Sequence, residues 1–216
     1  MAHRHWPLFD LRVCTPRVEL RYPDDEIATA LAELAAQGVH DPASMPFSMP
    51  WTDVPSPQLE RNCLQFFWRG RAEWAVESWS LPLAVFVDGE VVGVQDMIAK
   101  NFLIRRSFET GSWLGRAHQG RGIGKEMRAA MLHLAFVGLG AEWAHTSAWH
   151  DNAASLGVTR ALGYEPNGEV VDVRRNRTGE TMLGFRMARG RWETTRRDDI
   201  VIEHLEPCLP LFGLCE

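Results

Sequence analysis

A chain of 216 residues, 45% hydrophobic and 24% charged, has the make-up of one globular domain that can bury a core, which excludes a disordered or low-complexity protein. A net charge of -5, with Lys100 and Lys125 the only lysines, gives no electrostatic case for a nucleic-acid partner. Cys14, Cys63, Cys208 and Cys215 show no CxxC pair and no zinc-type spacing, and the N-terminus holds charges where a signal peptide needs an apolar core. With no run of membrane-spanning length, the expectation is a soluble cytoplasmic protein with free thiols and no metal.

Residues 11–21 alternate Val13, Thr15, Val18 and Leu20 around Pro16 and read as one strand interrupted near the proline. Asp24 and Asp25 precede an amphipathic run of Ile27, Leu31 and Leu34 that ends at Gly38, a helix with acids at its favoured end. Residues 40–57 hold five prolines and no regular period, so they form a loop with Met45, Phe47, Met49 and Trp51 as apolar teeth. Such a long loop is either functional or simply docks its teeth on the core. Residues 58–74 follow as a helix that turns Leu64, Phe67 and Trp68 inward.

Residues 81–97 are two β-rich runs around Asp88-Gly89, a preferred hairpin turn. After a loop or irregular strand end at 100–106, residues 110–114 make a strand and 119–124 (QGRGIG) a glycine loop. A helix follows over 125–139, placing Met127, Met131, Leu134 and Leu139 near one stripe. A strand at 142–149, a helix at 151–162 stopped by Gly163, and a hairpin of 169–173 with 181–187 across the turn 176–179 complete the pattern. Strands mixed with single helices in this order predict an α+β fold with a mostly antiparallel sheet rather than a doubly wound one. Residues 190–216 lie beyond it, with an added strand at 200–205 and an apolar clamp at 207–213. That tail is expected to pack on its own domain, with a homodimer through it as the alternative.

The stretch 111–140 carries the chemistry. Three glycines just before a helix let several backbone N–H groups converge where the helix dipole adds positive potential, which makes an anion site suited to a pyrophosphate. A P-loop would need Ser or Thr after Gly124-Lys125, and Glu126 stands there. The dinucleotide fingerprint needs a different spacing from Gly120, Gly122 and Gly124, and an opening βαβ unit.

Gln119-x-x-Gly122-x-Gly124 after a strand resembles the coenzyme A pyrophosphate motif of the Gcn5-related N-acetyltransferases (GNAT). Trp113-Leu114, Ala117-His118-Gln119-Gly120 and Gly122-Ile123 are similar to the ribosomal-protein (RimJ/RimL-like) branch. Strings such as RHWPLFDLR and PLFG resemble an actinobacterial group associated with succinyl-CoA. The resemblance implies a GNAT fold: a mostly antiparallel mixed sheet of about six to seven strands, about four helices, a domain over 1–189 and a C-terminal extension over 190–216. It implies acyl transfer from acetyl-CoA or succinyl-CoA to a primary amine by direct attack on the thioester.

For the site it implies that amides of Gln119, Gly120, Arg121, Gly122, Ile123 and Gly124 hold the diphosphate, with Arg121 adding its side chain. The backbone of Trp113, Leu114, Gly115 and Arg116 takes the pantetheine arm like an added strand. An N–H near Leu114 then stabilises the oxyanion, an effect worth about 3 kcal/mol per donor. Asn152-x-x-Ser155 matches the family's pair in which Asn binds pantetheine and Ser protonates the leaving thiolate. Asn152 is also a good N-cap. Many relatives place a tyrosine in this helix; Tyr164 follows it and reads as core.

The resemblance breaks at the base. The ribosomal-protein enzymes have glutamate just before Gly168, and this chain has Asn167, which takes no proton at neutral pH. Asp96, Glu109, His118, His145 and Glu169 are the substitutes, unranked by sequence. Without a dedicated carboxylate an α-amine, titrating near about 8, is an easier acceptor than a lysine near about 10.4. Two readings outside catalysis remain: a non-catalytic acyl-CoA sensor, and a structural protein that keeps the fold without coenzyme.

Overall fold

A computed structural model of the chain describes residues 3–175 and 177–214. Asn176 in the expected hairpin turn and Cys215 lie outside the described residues. The N-terminal half runs β1 (Arg12–Cys14), β2 (Glu19–Arg21), α1 (Asp25–Ala36), α2 (Gln58–Ala72), β3 (Ser78–Val87) and β4 (Glu90–Lys100). Then come α3 (Phe102–Arg105), β5 (Ser107–Leu114), α4 (Ile123–His133), β6 (Trp143–Trp149), α5 (Ala153–Ala161), β7 (Glu165–Val173), β8 (Gly179–Ala188), α6 (Arg189–Glu193) and β9 (Val201–Glu203).

All described strands join one sheet in the order β7-β8-β6-β5-β4-β3-β2-β1-β9. Pairing is antiparallel except between β5 and β6, the two strands joined by the α4 crossover. One face is covered by α1 and α2, where Ala28, Leu31 and Phe67 meet Ala84, Phe86 and Val94. The other carries the main core, built by Met127, Met131, Leu134 and Phe136 against Leu81, Leu83, Met97 and Phe108. Asp24 caps α1, accepting from the Ile27 amide at 2.8 Å.

The α+β architecture is as expected, with nine strands in place of the six to seven predicted. Residues 11–21 are a hairpin rather than one interrupted strand: Thr15 and Val18 close a turn that brings Val13 opposite Leu20. The tail supplies β9, which pairs with β1 through Val13 and Ile202, and its next turns bury Cys208 and Phe212. Short helices α3 and α6 exceed the predicted four. The glycine-loop helix keeps α-helical form only to His133 and relaxes into a π-turn over Leu134–Gly138. Trp68, expected inward, is 47% exposed because its indole N–H reaches out to Asp25 at 3.1 Å.

The β3–β4 hairpin turns at Asp88 and Gly89 with φ of 51° and 82°, the left-handed pair that a tight two-residue turn demands. Next to the turn, Gly93 lets β4 approach β5. A Cβ there would lie 2.2 Å from the Trp113 carbonyl oxygen.

Candidate active site

The glycine loop is set by its own backbone. Gly120 and Gly122 have φ of 75° and 81°, a region that costs a side-chain-bearing residue roughly 1–2 kcal/mol. Gly122 is the N-cap of α4. Among the described residues, the amides of Gly120, Arg121, Gly122, Ile123 and Gly124 have no hydrogen-bond acceptor. Five successive free donors at a helix start make a cradle able to receive an anion. The Gln119 amide is not the sixth, because it donates to the Arg116 carbonyl at 3.4 Å. Gln119 instead anchors the loop, its side-chain amide donating to Val39 O at 2.6 Å and Leu114 O at 2.9 Å. Arg17 braces the loop from outside, donating to the Arg121 carbonyl at 3.1 Å and lying 3.4 Å from the Glu126 carboxylate.

Beside the cradle, β5 and β6 part. They pair in parallel only over Ser107–Glu109 and Trp143–His145, and two side-chain links extend the contact, the Thr110 hydroxyl to His145 O at 3.4 Å and the Thr146 hydroxyl to Thr110 O at 3.3 Å. Beyond them the β5 edge is open. Thr110 and Leu114 turn their carbonyls to that edge, toward Thr146 and Gln119, so strand alternation directs the Ser112 and Leu114 amides there too. Gly115 and Arg116, expected to face the same groove, have amides already bonded to Val92 O and Gly38 O at 2.9 and 3.0 Å. Gly115 N–H is directed at β4, which is the other edge. After β6, Asn152 caps α5 by accepting from the Ser155 amide at 3.1 Å, and Ser155 is half-buried.

The face under α1 and α2 continues past them along the sheet. At one end the 40–57 loop docks, with Phe47 on Trp51 and Trp51 on Trp113 at ring separations of 5.3 and 5.7 Å. Met45 is buried, while Met49 stays 73% exposed and is not a tooth. The far end of the β7–β8 hairpin holds the loop down: Arg174 donates to Met45 O at 2.8 Å, and Arg175 pairs with Asp53 and donates to Pro42 O. At the other end lies a cavity of about 400 Å³ lined by Ile98, Lys100, Arg105, Glu109, His145 and Asn167, among others. Asn167 sits at a β-bulge between Pro166 and Glu169, a break that lets the strand re-aim a side chain. Between the two ends Gly111 leaves bare backbone, and its partner across β4 is Asp96.

The acetyltransferase (GNAT) domain family matches residues 17–165. The chain belongs to this family. Solved structures with the same fold include RimL, a ribosomal L7/L12 α-N-protein acetyltransferase determined with coenzyme A (18% identity, TM-score 0.61, covering 81% of this chain and 95% of that one). Mycobacterium smegmatis RimJ, in complex with a CoA-disulfide, is 20% identical with a TM-score of 0.64 over 83% and 88% of the two chains. A GNAT-family acetyltransferase from Bacillus anthracis is 13% identical, with a TM-score of 0.65 over 83% and 99%.

In this GNAT domain the five substitute bases fall in different places. Glu109 and His145, neighbours on paired strands, line the cavity with Asn167. Burial pulls the His145 pKa down, and Glu109 partly offsets this. His118 sits beside the glycine loop and Glu169 on the exposed edge strand, both away from the cavity lining. Asp96 adjoins Gly111; its carboxyl is pushed up to about 6 by burial, against a Ser80 hydroxyl shared between its two oxygens at 3.0 and 3.1 Å, which favours the ionised form. Sequence offered no ranking among these because the ranking depends on which strand faces α1. Tyr164 is core, 5% exposed. Arg128 of α4, which no sequence motif marks, is 3% exposed and bridges Ser112 and Thr146.

Proposed function

We propose that this GNAT domain transfers a short acyl group, acetyl or succinyl, from acyl-CoA to a primary amine, with a protein or peptide α-amine as the preferred acceptor. The observation that carries the reading is the continuity of five free loop amides with the open edge of β5. The cradle suits a diphosphate, and a strand edge suits the amide-bearing arm that follows it. In this reading coenzyme A enters as the second substrate, supplying a thioester activated for attack, and the chain positions and moves protons. The loop amides of Gly120 to Gly124 hold the diphosphate. Ser112 and Leu114 N–H groups align the arm, and the one nearest the thioester carbonyl takes the developing oxyanion.

Asp96 is the base. It lies on the acceptor face beside the bare Gly111 backbone, and a carboxyl near about 6 is ionised at neutral pH while still able to accept a proton from an ammonium. The amine nitrogen then forms its bond to the acyl carbon as the carbon–sulfur bond breaks; Ser155 gives its proton to the departing thiolate and regains one from the new amide nitrogen, which sheds its second proton. An α-amine, with a pKa near about 8, loses its proton to such a base more readily than a lysine does.

Single-turnover mixing with acetyl-CoA or succinyl-CoA and a peptide with a free N-terminus tests this, reading thiol release. The expected result is stoichiometric thiol and acylated peptide, faster than for an N-blocked peptide carrying lysine. Asn167, at the position where the resembled ribosomal-protein enzymes have glutamate, favours a second reading, a non-catalytic acyl-CoA sensor. Tight coenzyme binding with no thiol release would decide for it.

A further inference from the structure

The face of the sheet that carries Asp96 is closed in one direction and open in the other. Toward Val94 and Trp113 it is covered by α1, α2 and the docked 40–57 loop. In the opposite direction the next pairs are Ile98 with Glu109 and Glu109 with His145, and they line the cavity of about 400 Å³. Two residues of strand set this floor about 7 Å from Asp96. Lys100 and Arg105 are cations in the same lining, and Arg186, opposite His145 on β8, adds a third beside it, its guanidinium 5.3 Å from the centre of the Trp143 ring. Among the described residues none of the three cations makes an ion pair, and neither does Glu109. Glu165, opposite Arg186 on β7, is engaged by Arg191 at 2.9 Å. His145 contributes little charge at neutral pH, because burial pulls its pKa down and Glu109 only partly offsets this. Three cations against one carboxylate leave the cavity with a positive surplus in a chain whose net charge is -5.

We propose that this cavity is the subsite for an acidic side chain at the second or third position of the acceptor, so that the preferred acceptor is a polypeptide with Asp or Glu next to its free N-terminus. This rests on the acyl-transfer reading above, with Asp96 as the base. An amine held between Asp96 and the bare Gly111 backbone has its following residues directed over Ile98 and Glu109, because Trp113 and the docked loop fill the other direction. An extended peptide advances about 3.3–3.6 Å per residue, which brings its second and third side chains over that floor. A carboxylate arriving there meets Lys100 and Arg105, neither of which has a partner to give up, and Ile98, 40% exposed, supports the apolar stem. Glu109 works against the carboxylate, and one anion against three cations moderates the preference without cancelling it. A free amino acid does not fit the same geometry: its α-carboxylate stays beside Asp96, where like charges repel, and does not reach the cations.

Peptides that begin Ser-Asp, Ser-Asn and Ser-Lys and are otherwise identical, together with free glutamate, test this. Each is measured twice: kcat/KM by thiol release from a fixed acyl-CoA, and Kd for the labelled peptides by fluorescence anisotropy. The proteins are the wild type, the double variant Lys100→Gln with Arg105→Gln, and Glu109→Gln, with circular dichroism confirming that each is folded. The wild type is expected to favour Ser-Asp over Ser-Asn by about five- to tenfold in both measurements, the yield of two or three partly exposed charge pairs, and to use Ser-Lys least. The Ser-Asp to Ser-Asn ratio should fall below about twofold in the double variant and rise in Glu109→Gln; opposite signs from neighbouring substitutions are not what a general loss of structure produces. Equal treatment of Ser-Asp and Ser-Asn by the wild type overturns the proposal, as do ratios that move the same way in both variants, and free glutamate used better than the Ser-Asp peptide overturns the assignment to a polypeptide. Absence of thiol release with every acceptor, while Kd still favours Ser-Asp and responds to the variants, removes the acyl-transfer reading and upholds the subsite.

Discussion

Replacing Asp96 by Asn separates a stabilising from a catalytic effect at one atom. The carboxyl is raised from 3.8 to about 6, so the folded protein holds this proton more tightly than the unfolded chain does. Stability is therefore greatest below about pH 4, falls as pH rises toward 6, and stays reduced above it. Two units correspond to about 3 kcal/mol, and because the carboxyl is not wholly shielded from water about 1–3 kcal/mol is expected. An asparagine still accepts the Ser80 hydrogen bond and removes the buried charge. The variant should be more stable than wild type at pH 7 by that amount, about 2–4 °C in Tm per kcal/mol, and equal to it near pH 4. Its turnover should fall about 10²–10⁴-fold, and the acid limb of the kcat/KM profile, centred near 6 in the wild type, should vanish. Urea melts at both pH values and a pH–rate series give the two readouts. A variant less stable at pH 7, or one that keeps the same acid limb, refutes the placement of Asp96 as a desolvated base.

Gly122→Val should weaken coenzyme A binding by at least tenfold in titration calorimetry. A Cβ there meets nothing within 4 Å in the protein, so the new side chain obstructs only what docks on the loop, and the fold pays just the cost of φ 81°. Trp51→Ala removes the ring joining Phe47 to Trp113 and should raise the KM for the amine while lowering stability by about 2–4 kcal/mol, checked by kinetics and melting together. Phe212→Ala empties a fully buried site packed edge-on against Trp74 and Trp79. It should cost about 3–5 kcal/mol with no change in donor preference.

What could be read from the sequence follows from how local each signal is. The Asp88-Gly89 hairpin and the acidic start of α1 depend on a few adjacent residues and came out as expected. The glycine loop was legible because its donors are backbone groups whose direction is set by two positive φ angles. Which amides remain free was not, since Gln119, Gly115 and Arg116 are satisfied by Arg116, Val92 and Gly38, and one of these is far away in the chain. The split of residues 11–21 turns on the Thr15–Val18 bonds, which an alternation pattern does not reveal. Asp96 and Arg128 were hidden for a different reason. Each looks ordinary in its own strand or helix, and becomes unusual only when the neighbouring strands define a dry face around it.

The pairing of β9 with β1 makes the last strand of the chain a neighbour of the first. During synthesis, then, the hairpin of β1 and β2 waits with one edge bare until nearly everything else has left the ribosome. Contacts so distant in sequence slow the final closure and leave an adhesive edge in the interim. Expression at lower temperature, or with a chaperone that shelters nascent chains, should raise the soluble yield more for this protein than for a relative whose sheet lacks the closing strand.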